Sequence, residues 1–283
     1  MTRARRGFTL IELIISLVIS GVILGAAYKL LLANQRFYRS QSVINDVQTN
    51  VREAALILSG EMREISAVGG DLQQMTDTAV TINAMRALGI ICSVPDLILG
   101  RIVVNNAALF KYRNIDPSRD SVFIFREGLA NRSSDDRWLR GKVSGTAAVN
   151  CADGTAGTRI ALNGLAGGLF TQMDSVTIGA PVRAFETVNY RLYDGGSGIW
   201  WLGIRNNVSG AWTTTSPVAG PMRPNDGVKF AYYDSTGTAT VTAALVRSIG
   251  ITVRGLSSSS IQSAGHATGA YSDSLTVRVA VRN

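Results

Sequence analysis

A chain of 283 residues with 46% hydrophobic and only 17% charged residues is long enough to bury a sizeable core and too apolar to remain disordered. Its formal charge of +8 raises the question of a nucleic-acid or membrane-surface partner. Arg3, Arg5 and Arg6 crowd three of the positive charges into the first seven residues, and the remaining arginines lie singly. A mildly basic, solvated surface is the reading, since no dense basic run is present to grip phosphates.

The first element is apolar without interruption. From Phe8 to Tyr28 there are 21 residues with one charge, Glu12. As a helix this stretch rises about 31 Å, close to the hydrocarbon thickness of a bilayer. Three plain explanations compete. One is a secretory signal with the small residues Gly25-Ala26-Ala27 at its end, and another is a simple membrane anchor. The third makes Glu12 a helix-start residue, because Thr9 and Glu12 have capping-box spacing. Glu12 itself speaks against the first two, because a carboxylate in an apolar stretch costs about 2.5–3.5 kcal/mol near a spanning helix's centre and less toward its end. An acid retained there needs a partner. Gly21 and Gly25 have the spacing that suits close helix packing. Lys29, Arg36 and Arg39 follow the stretch, so basic residues flank both ends and charge alone sets no orientation.

Arg6-Gly7-Phe8-Thr9-Leu10-Ile11-Glu12-Leu13 resembles the processing motif of type IV prepilins and type II secretion pseudopilins. The shared features are a short basic leader ending in Gly7, an aromatic Phe8, a glutamate four residues later and an unbroken apolar helix. The resemblance implies that a prepilin peptidase removes residues 1–7, cutting between Gly7 and Phe8, and methylates the new amine on Phe8. It also implies that Glu12 docks on the Phe8 amine of a neighbouring subunit, that the leader charges Arg3, Arg5 and Arg6 stay cytoplasmic, and that the bulk of the chain lies outside the inner membrane. The chemistry agrees: an N-terminal amine stays mostly protonated at neutral pH, and two opposite charges poorly solvated in lipid gain by meeting. Major pilins often carry a proline near the end of this span; Lys29 stands in that region here, so no proline kink is expected.

Beyond the span, Ile44, Val47, Val51, Ala54, Leu58, Met62 and Ile65 recur at intervals of three and four, one apolar face of a helix. Arg52, Glu53, Glu61, Arg63 and Glu64 fall off that stripe. The expectation is one helix from about Phe8 to Ser66, roughly 88 Å long, apolar all round in residues 8–28 and amphipathic in residues 29–66. Gly60 weakens it by about 1 kcal/mol and is a candidate bend. Gly69-Gly70 ends it, and residues 67–283 form a β-rich head. Strands are expected at 121–126, 188–193, 199–205, 228–233, 249–254 and 275–281, with Asp194-Gly195-Gly196 as a hairpin turn and Asp226-Gly227 as another turn. Ser257–Ser272 reads as a long polar loop. The predicted fold class is α+β: a long N-terminal helix on an antiparallel head, a lollipop.

The head also resembles the PilW-type minor pilins and, more weakly, the J-type pseudopilins. The residues that carry this are Tyr190-Arg191-Leu192 with Trp200-Trp201-Leu202, Phe230-Ala231-Tyr232-Tyr233-Asp234, and the ending from Val277 to Asn283. Cys92 and Cys151 form one candidate disulfide in an oxidising compartment; two unrelated buried thiols is the other reading. Sites for chemistry are scarce. His266 stands in the polar loop, Asp135-Asp136 reads as a charged turn, and no Cys/His spacing suggests zinc. Trp200 and Trp201 alternate across a strand, which leaves one as a candidate for a sugar or a partner. Asn131-x-Ser133 and Asn207-x-Ser209 are acceptor-like triplets of low specificity. No catalytic residue, metal or cofactor is expected.

The expectation is therefore a minor type IV pilin that helps initiate or cap a pilus. The resemblance implies as partners other minor and major pilins, the inner-membrane assembly platform and the prepilin peptidase, and a path from the inner membrane, with a periplasmic head, to the cell surface. A type II secretion minor pseudopilin is the alternative within the class. A membrane-tethered carbohydrate- or DNA-binding module is the rival outside it.

Overall fold

The computed structural model describes residues 9–96, 98–128, 136–163, 175–261 and 269–282. Its first element, α1 (Leu10–Glu64), is a single helix of 55 residues, about 82 Å long at 1.5 Å per residue. The stripe read from the sequence faces the head: Val47, Val51, Ala54, Leu58 and Met62 are buried, with Ala55 and Ser59 widening it. The helix stops at Glu64, ahead of the expected Ser66, because Ile65 turns extended and drops into the core. The Asp71 carboxylate then takes the Ser66 N–H at 2.7 Å, and Gly70 makes the following turn with φ of 78°, a conformation that glycine adopts without a Cβ penalty.

All strand pairings in the head are antiparallel among the described residues. Its centre is β8 (Pro181–Asp194). One edge of β8 pairs along its length with β2 (Ala79–Ile90), which carries β1 (Leu72–Met75) and β4 (Phe110–Lys111) on its other side. The opposite edge is shared between β5 (Asp120–Arg126) and β9 (Trp200–Val208). β8 is buried along most of its length, and its buried residues include the polar Arg183, Glu186 and Asn189 as well as Val182, Phe185 and Val188. From β5 the sheet continues through β6 (Arg137–Asn150) and β7 (Ala156–Asn163) to β3 (Arg101–Asn105). From β9, which also holds β10 (Ala211–Trp212), it passes through β11 (Ser216–Met222) to β13 (Ser248–Ile261), and β13 pairs in turn with β12 (Val228–Tyr233) and β14 (Gly269–Ala280).

Two hydrophobic clusters lie along this sheet. The first packs Val51, Leu58 and Met62 of α1 on Ile249, Ile251 and Val253 of β13 and on Val188 and Leu202. The second, built from Ile102, Val122, Ile124, Ile160 and Val182, has no helix residue in it. Cys92 and Cys151 are bonded, 59 residues apart in sequence, and tie the end of β2 to the β6–β7 turn. A loop of that length lowers the entropy of the unfolded chain by about 4 kcal/mol on the chain-entropy account.

Six strands were expected and each overlaps one of these elements, with Ile199 and Val281 one residue outside β9 and β14. The Asp194-Gly195-Gly196 turn closes the β8–β9 hairpin, with Asp194 opposite Trp200. The Asp226-Gly227 turn joins two strands that do not pair with each other; both lie against β13. The polar loop expected over Ser257–Ser272 is corrected. Ser257–Ile261 and Gly269–Ser272 are strand, and 262–268 lies outside the described residues. Serine side chains hold this hairpin in place of apolar ones: the Tyr271 N–H donates to Ser257 Oγ at 2.8 Å, and Ser272 Oγ donates to the Gly255 carbonyl at 2.8 Å.

The seat of α1 on the sheet depends on Gly255. A Cβ there would stand 2.7 Å from Val51 Cγ2 and 2.9 Å from Val47 Cγ1. Gly255→Ala is expected to destabilise the chain by about 1–3 kcal/mol through overpacking. Gly60→Ala, in the same helix with nothing within 4 Å, is expected to stabilise it by about 0.5–1 kcal/mol. Denaturation of the detergent-solubilised protein measures both; the same sign for the two would contradict this seating of the helix.

Candidate functional site

The first half of α1 has no cover from its own chain. Leu10, Leu17, Val22 and Leu24 are each more than two-thirds exposed, and the most apolar window of α1 contains no buried residue. Side chains of this kind leave water whenever a membrane or another apolar surface is offered. The helix opens with a capping box. Thr9 Oγ1 accepts the Glu12 N–H at 3.4 Å, while Glu12 Oε2 accepts from the Thr9 N–H at 2.9 Å and from the Thr9 hydroxyl at 3.0 Å. Both contacts fall on Oε2, so Oε1 accepts no hydrogen bond from the described residues. The cap therefore occupies one oxygen of the carboxylate and not the other. Gly7 and Phe8, and the leader residues Arg3, Arg5 and Arg6, lie outside the described residues.

A second polar constellation fastens the end of α1 to the head. Glu61 of the helix pairs with Arg86 of β2 at 3.2 Å, and Arg86 reaches Glu186 of β8 at 3.4 Å. Arg113 bonds both Glu186 and Asp120, the latter at 2.6 Å. Nearby, Arg183 donates to Asp71 at 2.7 Å, so the acid that stops the helix is itself neutralised. Tyr112 donates to Glu64 at 2.7 Å. Glu186 and Asp120 are buried, and removing one partner from such a network leaves an uncompensated buried charge, at about 3–5 kcal/mol. Burial raises the Glu61 carboxyl above its ordinary range against the opposing pull of Arg86. Burial likewise raises Asp71, against the Ser66 N–H and Arg183. Glu61, Asp71, Asp120 and Glu186 each face an arginine and Glu64 accepts from the Tyr112 hydroxyl, and the arrangement serves to position the helix on the sheet.

The structure places the other candidate residues apart from one another. Cys92 and Cys151 are joined on the far side of β2. Trp200 and Trp201 are both half-buried, so neither stands out as an exposed platform. Asn207 accepts the Gly210 N–H at 3.1 Å within the β9–β10 turn. Asp136 accepts the Gly128 N–H at 3.1 Å; Asp135, Asn131, Ser133 and His266 lie outside the described residues. Among the described residues, no group of three or more His, Cys, Asp or Glu is arranged to hold a metal. The Glu61–Arg86–Glu186–Arg113–Asp120 network was missed in the sequence. Its one visible signal is Glu186, an acid in step with the alternating apolar residues Val182, Ala184, Val188 and Tyr190.

Residues 2–28 match the family model of the prokaryotic N-terminal methylation motif. No curated protein and no solved structure matches the chain. The motif marks a type IV prepilin-like protein, the kind of chain that a processing enzyme acts on, and together with the apolar helix it marks a membrane-anchored one.

Carboxyl titrations followed by NMR test the electrostatics of the head. The Asp116 carboxyl is lowered to about 2, chiefly by hydrogen bonds from the Ser118 hydroxyl and N–H and then by Arg119. A depressed folded value means that this turn's contribution is present above the unfolded value of about 3.9 and lost as the pH falls toward 2. For Glu61 and Asp71 the sign is reversed: their contribution is greatest below the unfolded value and declines as the pH rises through the raised folded value. Asp116 is expected to titrate last on acidification, and Glu61 above an ordinary glutamate. A Glu61 midpoint at or below that of Asp116 would contradict the burial of the helix end.

Proposed function

We propose that the chain is a minor type IV pilin, a structural subunit that helps initiate or cap a filament after its leader is removed. The observation that carries this reading is Glu12: one acid in an exposed apolar helix, with a carboxylate oxygen left over after the cap is made. Cleavage between Gly7 and Phe8 would create an amine one helical turn before it. That amine, on a neighbouring copy or a sister subunit, neutralises Glu12 and sets the register between two helices. The partners on this reading are other pilins, the inner-membrane assembly platform and a prepilin peptidase; the head sits in the periplasm first and at the cell surface later. A head of more than 200 residues after the helix favours a low-copy subunit over the repeating one.

A type II secretion pseudopilin uses the same helix chemistry and is the second reading within the class. The tethered carbohydrate- or DNA-binding module requires the head alone to carry the function, whatever anchor holds it. Replacing residues 1–28 by an unrelated membrane anchor separates these, since function survives the exchange only in the module.

Two substitutions distinguish docking from capping. Glu12→Gln keeps a capping-box side chain and removes the charge; Thr9→Ala removes the cap, at about 0.5–2 kcal/mol, and keeps the charge. Losing one member of a poorly solvated ion pair costs about 3–5 kcal/mol, so incorporation of Glu12→Gln into filaments is expected to fall at least about a hundredfold. Thr9→Ala is expected to assemble. Quantitative blotting of sheared filaments against the membrane pool reads both; full incorporation of Glu12→Gln would refute the docking role.

A further inference from the structure

The outer edge of β14 is open where α1 lies across it. Backbone parity fixes which of its groups face outward. The Val281 N–H donates to the Arg247 carbonyl, so Val279–Ile249, Val277–Ile251 and Leu275–Val253, in step with it, are the hydrogen-bonded pairs of the antiparallel ladder. The Arg254 N–H donates to Gly227 on the opposite side of β13, which requires the same alternation. Ser274, Thr276, Arg278 and Ala280 consequently turn their N–H and C=O groups away from β13. Asp273 accepts the Ser274 N–H at 2.8 Å. Alongside Thr276, Arg278 and Ala280 there is no strand among the described residues. Just beyond them the same edge is filled by the chain itself: the Arg282 N–H donates to the Ile65 carbonyl at 2.9 Å, and Ser66 bridges to Arg282 in parallel.

A groove of about 510 Å³ runs beside this edge, between α1 and β14. Leu56, at 69% exposure, stands on its helix side, with the half-buried Leu275 and Val277 on its strand side. Arg52 and Arg63 of α1 also line it, and neither has an ion-pair partner among the described residues. On the other face of β14, Arg278 lies over the Tyr233 ring, 4.1 Å from its centroid.

We propose that this edge accepts one further β-strand from a partner protein: an extended acidic segment with apolar residues at alternate positions. Its backbone would pair with Thr276, Arg278 and Ala280, as strands do when they extend an open sheet. Its alternate apolar side chains would enter the groove onto Leu56, Leu275 and Val277, and its carboxylates, projecting to the opposite face, would meet Arg278; Arg52 and Arg63 add a longer-range attraction for an acidic segment. A second copy of this chain suits the edge poorly, because its β14 brings another Arg278 to the same place, and like charges on adjacent strands repel. The site is separate from Glu12 and does not rest on the assembly reading.

The test uses the full chain in detergent micelles and the fluorescent octapeptide Glu-Val-Glu-Val-Glu-Val-Glu-Val, followed by anisotropy. Saturable binding is expected. It should weaken at least tenfold when lysine replaces glutamate, and as much when alternate peptide nitrogens are methylated on the pairing side. Two protein variants should weaken it equally. Arg278→Pro removes an outward N–H and leaves the β13 ladder intact, and Leu56→Glu places an acid in the groove at an exposed position that folding tolerates. Glu12→Gln should bind as the parent does, which keeps this result apart from any assembly defect. No saturable binding of the parent peptide, or binding unchanged by both Leu56→Glu and Arg278→Pro, would overturn the proposal.

Discussion

A helix satisfies its own backbone hydrogen bonds wherever it is placed, but its side chains must still find a medium. That constraint governs the start of this chain. The front half of α1 carries Leu, Ile and Val on every side and touches nothing in the head. Glu12 sits in that half and keeps one carboxylate oxygen free of its cap. In water the helix would be poorly solvated; in lipid the acid would be. An apolar surround that also supplies a positive charge satisfies both, and on the proposed function a neighbouring subunit processed at Phe8 would be one.

The rest of the architecture fixes the second half of this helix on the head. Its second half is held by an apolar stripe on β13 and by the Glu61–Arg86–Glu186 chain of ion pairs. The stripe supplies non-directional attraction; the ion pairs supply geometry, because Arg86 meets an acid from the helix and another from β8 only in one rotational setting of α1. Glu186 stands at the junction of the two hydrophobic clusters, with Ala184 in one and Val188 in the other. A polar layer at that junction links the helix-bearing half of the head to the half that carries the disulfide.

How far these features could be read from the sequence depends on the range over which each is encoded. The helix stripe is local: Val47, Val51, Ala54, Leu58 and Met62 repeat within a few turns, and the motif around Glu12 is contained in eight residues. The β8–β9 hairpin is also local, announced by Asp194-Gly195-Gly196. The arginine–acid network is not, because its bonds join residues 25, 73 and 100 positions apart, and nothing in a linear pattern pairs them. The Ser257–Ser272 error has another origin. Polar composition was read as loop, yet a strand needs only backbone partners, and here serine hydroxyls bonded to backbone supply the fit. β6 went unread although Leu139 and Val143 alternate with exposed Trp138, Arg140 and Lys142, because its far half is Gly, Thr and Ala with little contrast.

The proposed docking role of Glu12 requires an amine at Phe8. Mass spectrometry of the protein recovered from its native membranes measures this directly. The account predicts a mature chain that begins with N-methylated Phe8. A chain beginning at Met1, or one cut near Tyr28, would contradict it and leave the apolar helix as an anchor or a discarded signal.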